Sequence, residues 1–354
     1  MTQFAEIVGR FSRARLVVAG DLIADEFLYG EVERVSREAP VLILKYDTTE
    51  VVPGGAGNAA CNVASLGARV QVVGLVGRDE PGRRLLGAMP SRANLRGVVR
   101  AAGVVTPVKT RVLAGGVHSA KQQVVRIDRV GTPIAPRLRQ SVSRRLEAAL
   151  ANALRDADAL IVSDYGSGFY GPDMVARAEA KAAGKTARTR STALVQPSYV
   201  GRVPMILVDS RYNLAGFKGV TACTPNESEV EALLGVRIGE DADALEKAGR
   251  ALLRKLQSRA VLITRGSRGM ALFEPGRPTE HIPIVGSDQI ADVTGAGDTV
   301  IATFTLALAC GATFSQAAHV ANHAGGLVVM KRGTATITPR ELLASLAAVE
   351  ERRA

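Results

Sequence analysis

Residues 292–300 read DVTGAGDTV and continue directly into the apolar run IATFTLALACG. The small residues Gly295, Ala296 and Gly297 leave backbone N–H groups free to point into one concavity. The helix that follows adds its unpaired first-turn donors and the positive end of its dipole, so the pattern predicts a cradle for an anion. Asp298 would repel that anion unless it takes a proton from the attacking group, which indicates phosphoryl transfer. The alternative is that Asp298 only favours the start of the helix.

Length and composition indicate a soluble α/β protein. The chain has 354 residues, which is long enough for one large α/β domain with an appendage or for two domains. Its 47% of hydrophobic residues and its 36 glycines fit a well-packed soluble enzyme with many tight turns. Cys61, Cys223 and Cys310 form no CxxC pair and lie in apolar stretches, so we expect reduced thiols, no zinc site and a cytoplasmic location. We expect no membrane partner, because no apolar run reaches the roughly 18 residues of a membrane span and no signal peptide is evident.

The charge of the chain is strongly basic, with a formal net value of +11. Aromatic residues make up only 4% of the sequence and tryptophan is absent, which argues against a stacking platform for nucleic acid. Part of this excess of positive charge lies in residues 181–202, which hold five basic residues and no acid. This composition predicts a solvated surface insertion. The remainder suits an enzyme with polyanionic substrates, since a positive field speeds their capture.

The order of predicted elements indicates the fold class. RLVVAG at 15–20 is a short apolar run of the kind that forms a buried parallel strand. From about residue 140, helix and strand patterns alternate, which predicts a doubly wound, mostly parallel sheet flanked by helices, with ligands at the carboxyl ends of its strands. Alternating segments within about 28–52 and 104–127 predict a small β-sheet that covers that edge as a lid. We assign 1–354 to a single α/β domain of this kind.

Two motifs near the start of the chain suit a hydroxyl-rich ligand. Asp21 and Asp25 follow the first strand, and one turn of chain would present both carboxylates at the sheet edge. An ionised acid accepts hydrogen bonds from two hydroxyls at once, although capping or turn formation is the alternative for both residues. In PGGAGN, Gly54 and Gly55 allow close approach of the backbone to a ligand, and Asn58 enters the next helix.

The same glycines also match a dinucleotide fingerprint, Gly55-x-Gly57-x-x-Ala60, followed by Asp79. That fingerprint should follow the first strand of a βαβ unit, whereas here it follows Pro53 and a predicted lid strand. A nicotinamide-dependent dehydrogenase is therefore the less favoured interpretation.

The motif TPNESE at 224–229 lies between a predicted strand and a predicted helix. Asn226 and Glu229 are three residues apart on one helix face, so both side chains can point at the same metal-bound water or phosphate. Simple capping of the helix is the alternative.

Four motifs, GGAGN, TPNESE, ITRGSRG at 263–269 and DVTGAGD, resemble in sequence and order those of the PfkB/ribokinase family of sugar kinases. The resemblance extends from Arg15 to about Pro339, and within the family the chain resembles the D-glycero-D-manno-heptose 7-phosphate kinases of lipopolysaccharide precursor synthesis. It implies a ribokinase-like fold and an enzyme that uses ATP and Mg²⁺. The implied product is the 1,7-bisphosphate, a precursor of ADP-heptose. A kinase for another sugar or a nucleoside, such as ribose or fructose, is the alternative, and a non-catalytic sugar- or nucleotide-binding regulator is another.

The resemblance also implies roles for individual residues. Asp298 is the expected catalytic base, and the backbone of Gly295, Ala296 and Gly297 is the expected anion hole. The expected sugar-binding residues are Asp21, Asp25, Gly54, Gly55 and Asn58. The expected nucleotide-binding residues are Asn226 and Glu229, which would also organise Mg²⁺, and Thr264, Gly266 and Asn322. Asp292, with main-chain oxygens near Gly333, is the candidate site for a potassium ion.

The chain departs from its relatives on the substrate side. Ser167 stands where relatives usually carry lysine, and Asp209-Ser210-Arg211 stands where they carry Asp-Pro-Lys. Residues 114–120 extend the lid, and the adenylyltransferase half fused to some relatives is absent, so we expect the single-function form. We also expect a homodimer, because lid strands in relatives often pair between subunits. Candidate partners for a substrate phosphate, with solvated lid charges as the alternative, are Lys109, Arg111, Lys121 and Arg126.

Overall fold

The computed structural model describes residues 3–115, 121–131, 133–183, 204–286 and 292–351. Most of the predicted insertion at 181–202 and of the predicted lid extension at 114–120 lies outside these ranges. In the described part of the chain, no helix is both long enough and apolar enough to cross a bilayer.

The described ranges contain thirteen strands and ten α-helices. The strands are β1 (Arg15–Gly20), β2 (Leu22–Val35), β3 (Leu42–Gly55), β4 (Arg69–Gly77), β5 (Ala93–Ala101), β6 (Val108–Gly115), β7 (Gln122–Arg129), β8 (Ala159–Asp164), β9 (Met205–Ser210), β10 (Ala222–Cys223), β11 (Ala260–Thr264), β12 (Met270–Phe273) and β13 (Glu280–Ile282). The helices are α1 (Gln3–Gly9), α2 (Ala56–Ser65), α3 (Glu80–Gly87), α4 (Pro136–Leu154), α5 (Pro172–Ala183), α6 (Glu227–Leu234), α7 (Ala242–Leu256), α8 (Ala296–Ala309), α9 (Phe314–Val328) and α10 (Pro339–Glu351).

The main sheet has the strand order β13-β12-β11-β10-β9-β8-β1-β4-β5. From β11 to β5 each neighbouring pair is parallel, and β12 and β13 add an antiparallel edge. Because β1 lies in the middle and the chain then winds outward on both sides, the carboxyl ends of β11, β10, β9, β8 and β1 meet along one edge. Open α/β sheets bind their ligands at such an edge.

Helices cover both faces of this sheet. Leu16 and Val18 of β1 pack on one face with apolar residues of α1, α2, α8, α9 and α10. Val17 and Ala19 pack on the other face with residues of α4, α5, α6 and α7. A strand buried on both faces needs a continuous apolar run, and RLVVAG provides one. The predicted doubly wound sheet flanked by helices is confirmed.

A second, four-stranded sheet has the order β3-β2-β6-β7 and is the predicted lid. Its first strand begins at Leu22 rather than near residue 28, so the chain passes from β1 into the lid with only Asp21 between them. The expectation that one turn of chain presents Asp21 and Asp25 together was therefore wrong. Asp25 instead lies within the extended strand β2, opposite Val52 of β3.

Other boundaries agree with the sequence patterns to differing degrees. The helix predicted to follow DVTGAGDTV is α8, and the helix predicted after TPNESE is α6. The strand predicted before TPNESE is reduced to two residues in β10, and the sequence patterns did not predict β5. In β5, arginine and asparagine alternate with apolar residues, a pattern suited to an edge strand, because one of its sides pairs with no other strand.

Candidate active site

Gly295, in the loop before α8, occupies a position that requires glycine for two reasons. This residue is the N-cap of α8 and has a φ of 78°, in the left-handed region that favours glycine. A Cβ atom there would also lie 2.4 Å from Nδ2 of Asn58. At Gly297, by contrast, a Cβ atom would meet no atom of the described residues within 4 Å, so in this part of the chain the residue faces open space at the start of the helix.

Two backbone N–H groups in the first turn of α8 have no hydrogen-bond acceptor among the described residues. The N–H of Ala296 donates to Val293 and that of Thr299 donates to Gly295. Within the described ranges, no hydrogen-bond acceptor is found for the N–H groups of Gly297 and Asp298. Unpaired donors beside open space, at the positive end of a helix dipole, fit an anion such as a phosphoryl group.

Asp298 is a buried carboxylate, with 4% of its surface exposed. Its Oδ2 accepts from Asn58 Nδ2 at 2.8 Å, and its Oδ1 accepts from the hydroxyl of Tyr165 at 3.2 Å. Burial raises the pKa of Asp298 to about 6, although both hydrogen bonds and Arg211 act to lower this pKa. An acid that served only to favour the helix start would need neither burial nor side-chain donors, so the geometry fits a base with a pKa near neutrality.

Tyr165 is a site residue that the sequence reasoning missed. It follows β8 in the motif SDYGSG, which the sequence marks only as a run shared with the family. Lys109 Nζ lies 5.0 Å from the centre of its ring, and Arg211 Cζ lies 4.6 Å from it. The available signal was its position directly after a predicted buried strand beside β1, where polar side chains collect at the sheet edge.

Asp21 supports this tyrosine loop. Its Oδ2 accepts from the backbone N–H groups of Tyr165 at 2.8 Å and Ser167 at 3.2 Å. Burial raises the pKa of Asp21 above its usual value, and the hydrogen bonds from the loop oppose this rise. Asp21 therefore anchors the loop that carries Tyr165, and its place as a sugar ligand stays a prediction.

Asp25 lies at the lid side of the site. Its Oδ1 accepts from Arg111 Nη1 at 2.7 Å in an ion pair that is almost completely buried. A Cβ atom on Gly54 would lie 2.3 Å from Asp25 Oδ2, and one on Gly55 would lie 2.6 Å from the carbonyl oxygen of Asp21. The two glycines thus let β3 pass close to the carboxylate of Asp25 and to the backbone of Asp21, and their close approach to a ligand stays a prediction.

The nucleotide-side residues predicted from TPNESE form a helix cap. Asn226 Oδ1 accepts from the Glu229 N–H at 2.9 Å, and Glu229 Oε2 accepts from the Asn226 N–H at 3.0 Å, which is a capping box at the start of α6. Glu229 Oε1 is left 3.9 Å from Nε of Arg211. The capping alternative is therefore present in the structure, and the role at Mg²⁺ stays a prediction.

The remaining predicted residues lie around the same edge or support it. Thr264 ends β11 and is bridged to Asn226, and Gly266 follows with a φ of 56°. Asn322 is buried in α9 and donates to the carbonyl oxygen of Pro283 at 2.7 Å. Asp292 accepts from the backbone N–H groups of Thr294 at 2.9 Å and Gly333 at 3.1 Å, and so ties the two loops together.

Several acidic side chains of the site lie close enough together to influence one another's pKa. Burial, followed by the charges of Glu229 and Asp298, raises the pKa of Asp209 to about 8. Carboxylates in such a group repel one another when they are ionised, and a cation bound among them would relieve this repulsion. In the described ranges, no three or more His, Cys, Asp or Glu side chains are arranged to hold a metal ion.

The profile of the pfkB family carbohydrate kinase matches residues 13–341, a range that contains every residue of this site. The chain belongs to this family. It is 39% identical over 338 residues to the bifunctional protein HldE of Gluconacetobacter diazotrophicus. That alignment covers 95% of the chain and 64% of the relative, so the chain spans less than two thirds of the length of this protein. Membership of the family makes the chain a sugar kinase.

Solved structures confirm the ribokinase-like fold. Arabidopsis thaliana ribokinase complexed with ribose and ATP matches with a TM-score of 0.66 at 20% identity, over 94% of this chain and 98% of that one. Escherichia coli phosphofructokinase-2 in complex with potassium matches with a TM-score of 0.71 at 16% identity, over 95% and 99% of the two chains.

The pKa of Asp298 predicts how the rate depends on pH. A base accepts a proton only in its ionised form, so kcat/KM for the sugar should fall as the pH decreases through about 6. Below that point the fall should approach about tenfold per pH unit. Initial rates at saturating ATP, measured across the range in which the protein stays folded, test this. A rate that is independent of pH well below this midpoint would contradict the assignment of Asp298 as the base.

Proposed function

We propose that this sugar kinase uses ATP to phosphorylate the anomeric hydroxyl of D-glycero-D-manno-heptose 7-phosphate, giving the 1,7-bisphosphate used for ADP-heptose. The observation that carries the chemical part of the proposal is Asp298, a buried carboxylate with a pKa of about 6. It lies beside two backbone N–H groups that have no acceptor among the residues the structure describes. The resemblance to heptose 7-phosphate kinases and the similarity to HldE support the choice of sugar.

In the proposed reaction Asp298 takes the proton of the sugar hydroxyl as this oxygen attacks the γ-phosphorus of ATP. The bond from this phosphorus to the β,γ-bridging oxygen breaks, and ADP leaves. A positioned general base contributes about 10²–10⁴-fold to the rate. The N–H groups of Gly297 and Asp298 donate to the phosphoryl oxygens on which charge develops, and donors aimed in this way usually give the largest single contribution. Mg²⁺ would neutralise charge on the ATP phosphates, and Glu229 and Asn226 would hold it through water or phosphate.

Two cations near Tyr165, Lys109 and Arg211, support the proposal that the substrate sugar already carries a phosphate. Three of the four lid candidates are neutralised by carboxylates: Arg111 by Asp25, Lys121 by Asp47 and Arg126 by Asp128. Within the described ranges Lys109 has no such partner.

Lys109 shares the Tyr165 ring with Arg211. Burial, followed by the charge of Arg211, lowers the pKa of Lys109, although the charges of Asp25 and Asp128 oppose this shift. A bound anion would relieve the repulsion between the two cations. We therefore assign the 7-phosphate to Lys109, with Arg211 as a second partner although its Nε also lies 3.9 Å from Glu229 Oε1.

Further parts of the proposal concern ligands and assembly. Thr264, Gly266 and Asn322 would line the nucleotide, and Asp292 would bind potassium. The exposed strand β7 carries Val125 and Ile127 on the surface of the lid and supports a homodimer that pairs lids. We propose a cytoplasmic location, in keeping with the soluble sugar phosphate and ATP that the reaction needs.

Rates of ADP formation across a panel of acceptors test the substrate. The panel holds heptose 7-phosphate, the same heptose without phosphate, ribose, fructose and fructose 6-phosphate. We expect the highest kcat/KM with heptose 7-phosphate, and ³¹P NMR should show the new phosphate on the anomeric oxygen. No acceleration with this heptose together with a clear rate with ribose or fructose would favour the alternative sugar. ATP binding without turnover on any acceptor would favour a regulator.

Lys109→Met tests the phosphate assignment separately. Loss of a charged hydrogen-bond donor should raise KM for heptose 7-phosphate by about 10- to 100-fold, while kcat/KM for the unphosphorylated heptose stays unchanged. Lys45→Met removes an exposed lysine from the same lid and is the matched control. An equal loss with both acceptors would place Lys109 in lid folding rather than in phosphate binding.

A further inference from the structure

A row of buried polar side chains lies behind Asp298, between α2 and α8. Asn58 and Asn62 are one turn apart on α2, and Thr299 follows Asp298 on α8. The exposed fractions of Asn58, Asn62 and Thr299 are 1%, 0% and 0%. Buried polar groups are costly unless they are hydrogen-bonded, so the contacts of the row decide which way each amide faces.

The Asn58 amide has one orientation that suits its neighbours. Its Nδ2 lies 2.8 Å from Asp298 Oδ2 and 3.4 Å from the carbonyl oxygen of Gly295, and an ionised carboxylate and a carbonyl only accept. The N–H groups of Asn58 therefore face Asp298, and its Oδ1 faces Asn62. There it accepts from Asn62 Nδ2 at 3.1 Å.

Thr299 fixes the orientation of Asn62 in turn. The Asn62 Nδ2 group also donates to the carbonyl oxygen of Asn58 at 3.1 Å, which leaves Asn62 Oδ1 facing α8. The hydroxyl of Thr299 donates to this oxygen at 3.0 Å. The same hydroxyl lies 3.2 Å from the carbonyl oxygen of Gly295, but that oxygen already accepts the N–H of Thr299.

We propose that Asn62 and Thr299 are positioning residues for phosphoryl transfer, because they keep the N–H groups of Asn58 turned toward Asp298. Without the Thr299 donor, Oδ1 of Asn62 is buried with no donor, and the bond to the carbonyl oxygen of Asn58 alone opposes rotation of the Asn62 amide. Turned over, it would favour the reverse orientation of Asn58, with an amide oxygen against the carboxylate of Asp298. This inference rests on the proposed function, since it takes Asp298 as the base.

The effect of the row on Asp298 adds to that of several charged or titratable neighbours. Asp25 raises its pKa and Arg211 lowers it, and the hydroxyl of Tyr165 donates to its other oxygen. Asp209 and Cys61 are electrostatically coupled to Asp298 as well. None of these five groups belongs to the row, so a change at Thr299 alters the orientation of Asn58 while the neighbours stay in place.

Thr299→Val removes the hydroxyl and retains the branched shape. Loss of this donor should raise the pKa of the Asp298 carboxyl by about half a unit to one unit. ¹³C NMR of protein labelled at the aspartate carboxyl carbons measures the midpoint, and Asp298→Asn assigns the signal. Kinetics should show a severalfold lower kcat with KM for ATP unchanged.

Two control variants separate positioning from packing. Thr299→Ser retains a hydroxyl and should keep both the midpoint and kcat near those of the unaltered protein. Thr303→Val makes the same replacement one turn later on α8, where the hydroxyl is buried and has no hydrogen-bond partner within the described ranges. It should leave the midpoint unchanged. Thr299→Ala replaces Thr299→Val if the valine variant does not fold.

The inference is overturned if Thr299→Val and Thr299→Ala leave the Asp298 midpoint unchanged, or if Thr303→Val moves it as far. The NMR titration needs no turnover, so it can be read even if no acceptor is phosphorylated. Absence of turnover in the unaltered protein would count against the proposed function. An unchanged midpoint in the variants would count against the positioning role of Asn62 and Thr299.

Discussion

The site depends on one constraint: a carboxylate must be able to ionise where little water reaches it. Burial disfavours the charged form of Asp298 and raises its pKa to about 6. Between about pH 4 and pH 6 the folded protein therefore binds this proton more tightly than the unfolded chain does. The contribution of Asp298 to the free energy of unfolding falls as the pH rises through that window, by about 3 kcal/mol. Asn58 and Tyr165 limit this cost, because both donate to the carboxylate.

These two donors explain much of the surrounding architecture. Asn58 lies 240 positions from Asp298 in the chain and Tyr165 lies 133 from it, so only the sheet topology brings them together. Gly295 lacks a side chain where Asn58 needs the space, and Asp21 holds the backbone of the loop that carries Tyr165. The same tyrosine lies between Lys109 of the lid and Arg211, and its hydroxyl donates to Asp298, so one side chain links the lid to the carboxylate.

The sequence predicted those features that local patterns determine. The start of α8 at Ala296, the buried run of β1 and the existence of a lid sheet all follow from composition and periodicity, and the structure confirms them. The sequence could not show that Asp21 accepts hydrogen bonds from the loop that carries Tyr165, because this contact joins segments about 140 residues apart. The role of Asn226 was ambiguous for another reason, since the residue types that cap a helix also bind phosphate and metal.

The most direct test of the account is the turnover of Asp298→Asn with heptose 7-phosphate, measured beside its affinity for ATP. Asparagine retains the shape of the side chain and can accept from Asn58, but it cannot take the proton of the sugar. The account predicts a kcat lower by about 10²–10⁴-fold, with the dissociation constant of ATP nearly unchanged. A kcat close to that of the unaltered protein would contradict the assignment of Asp298 as the base.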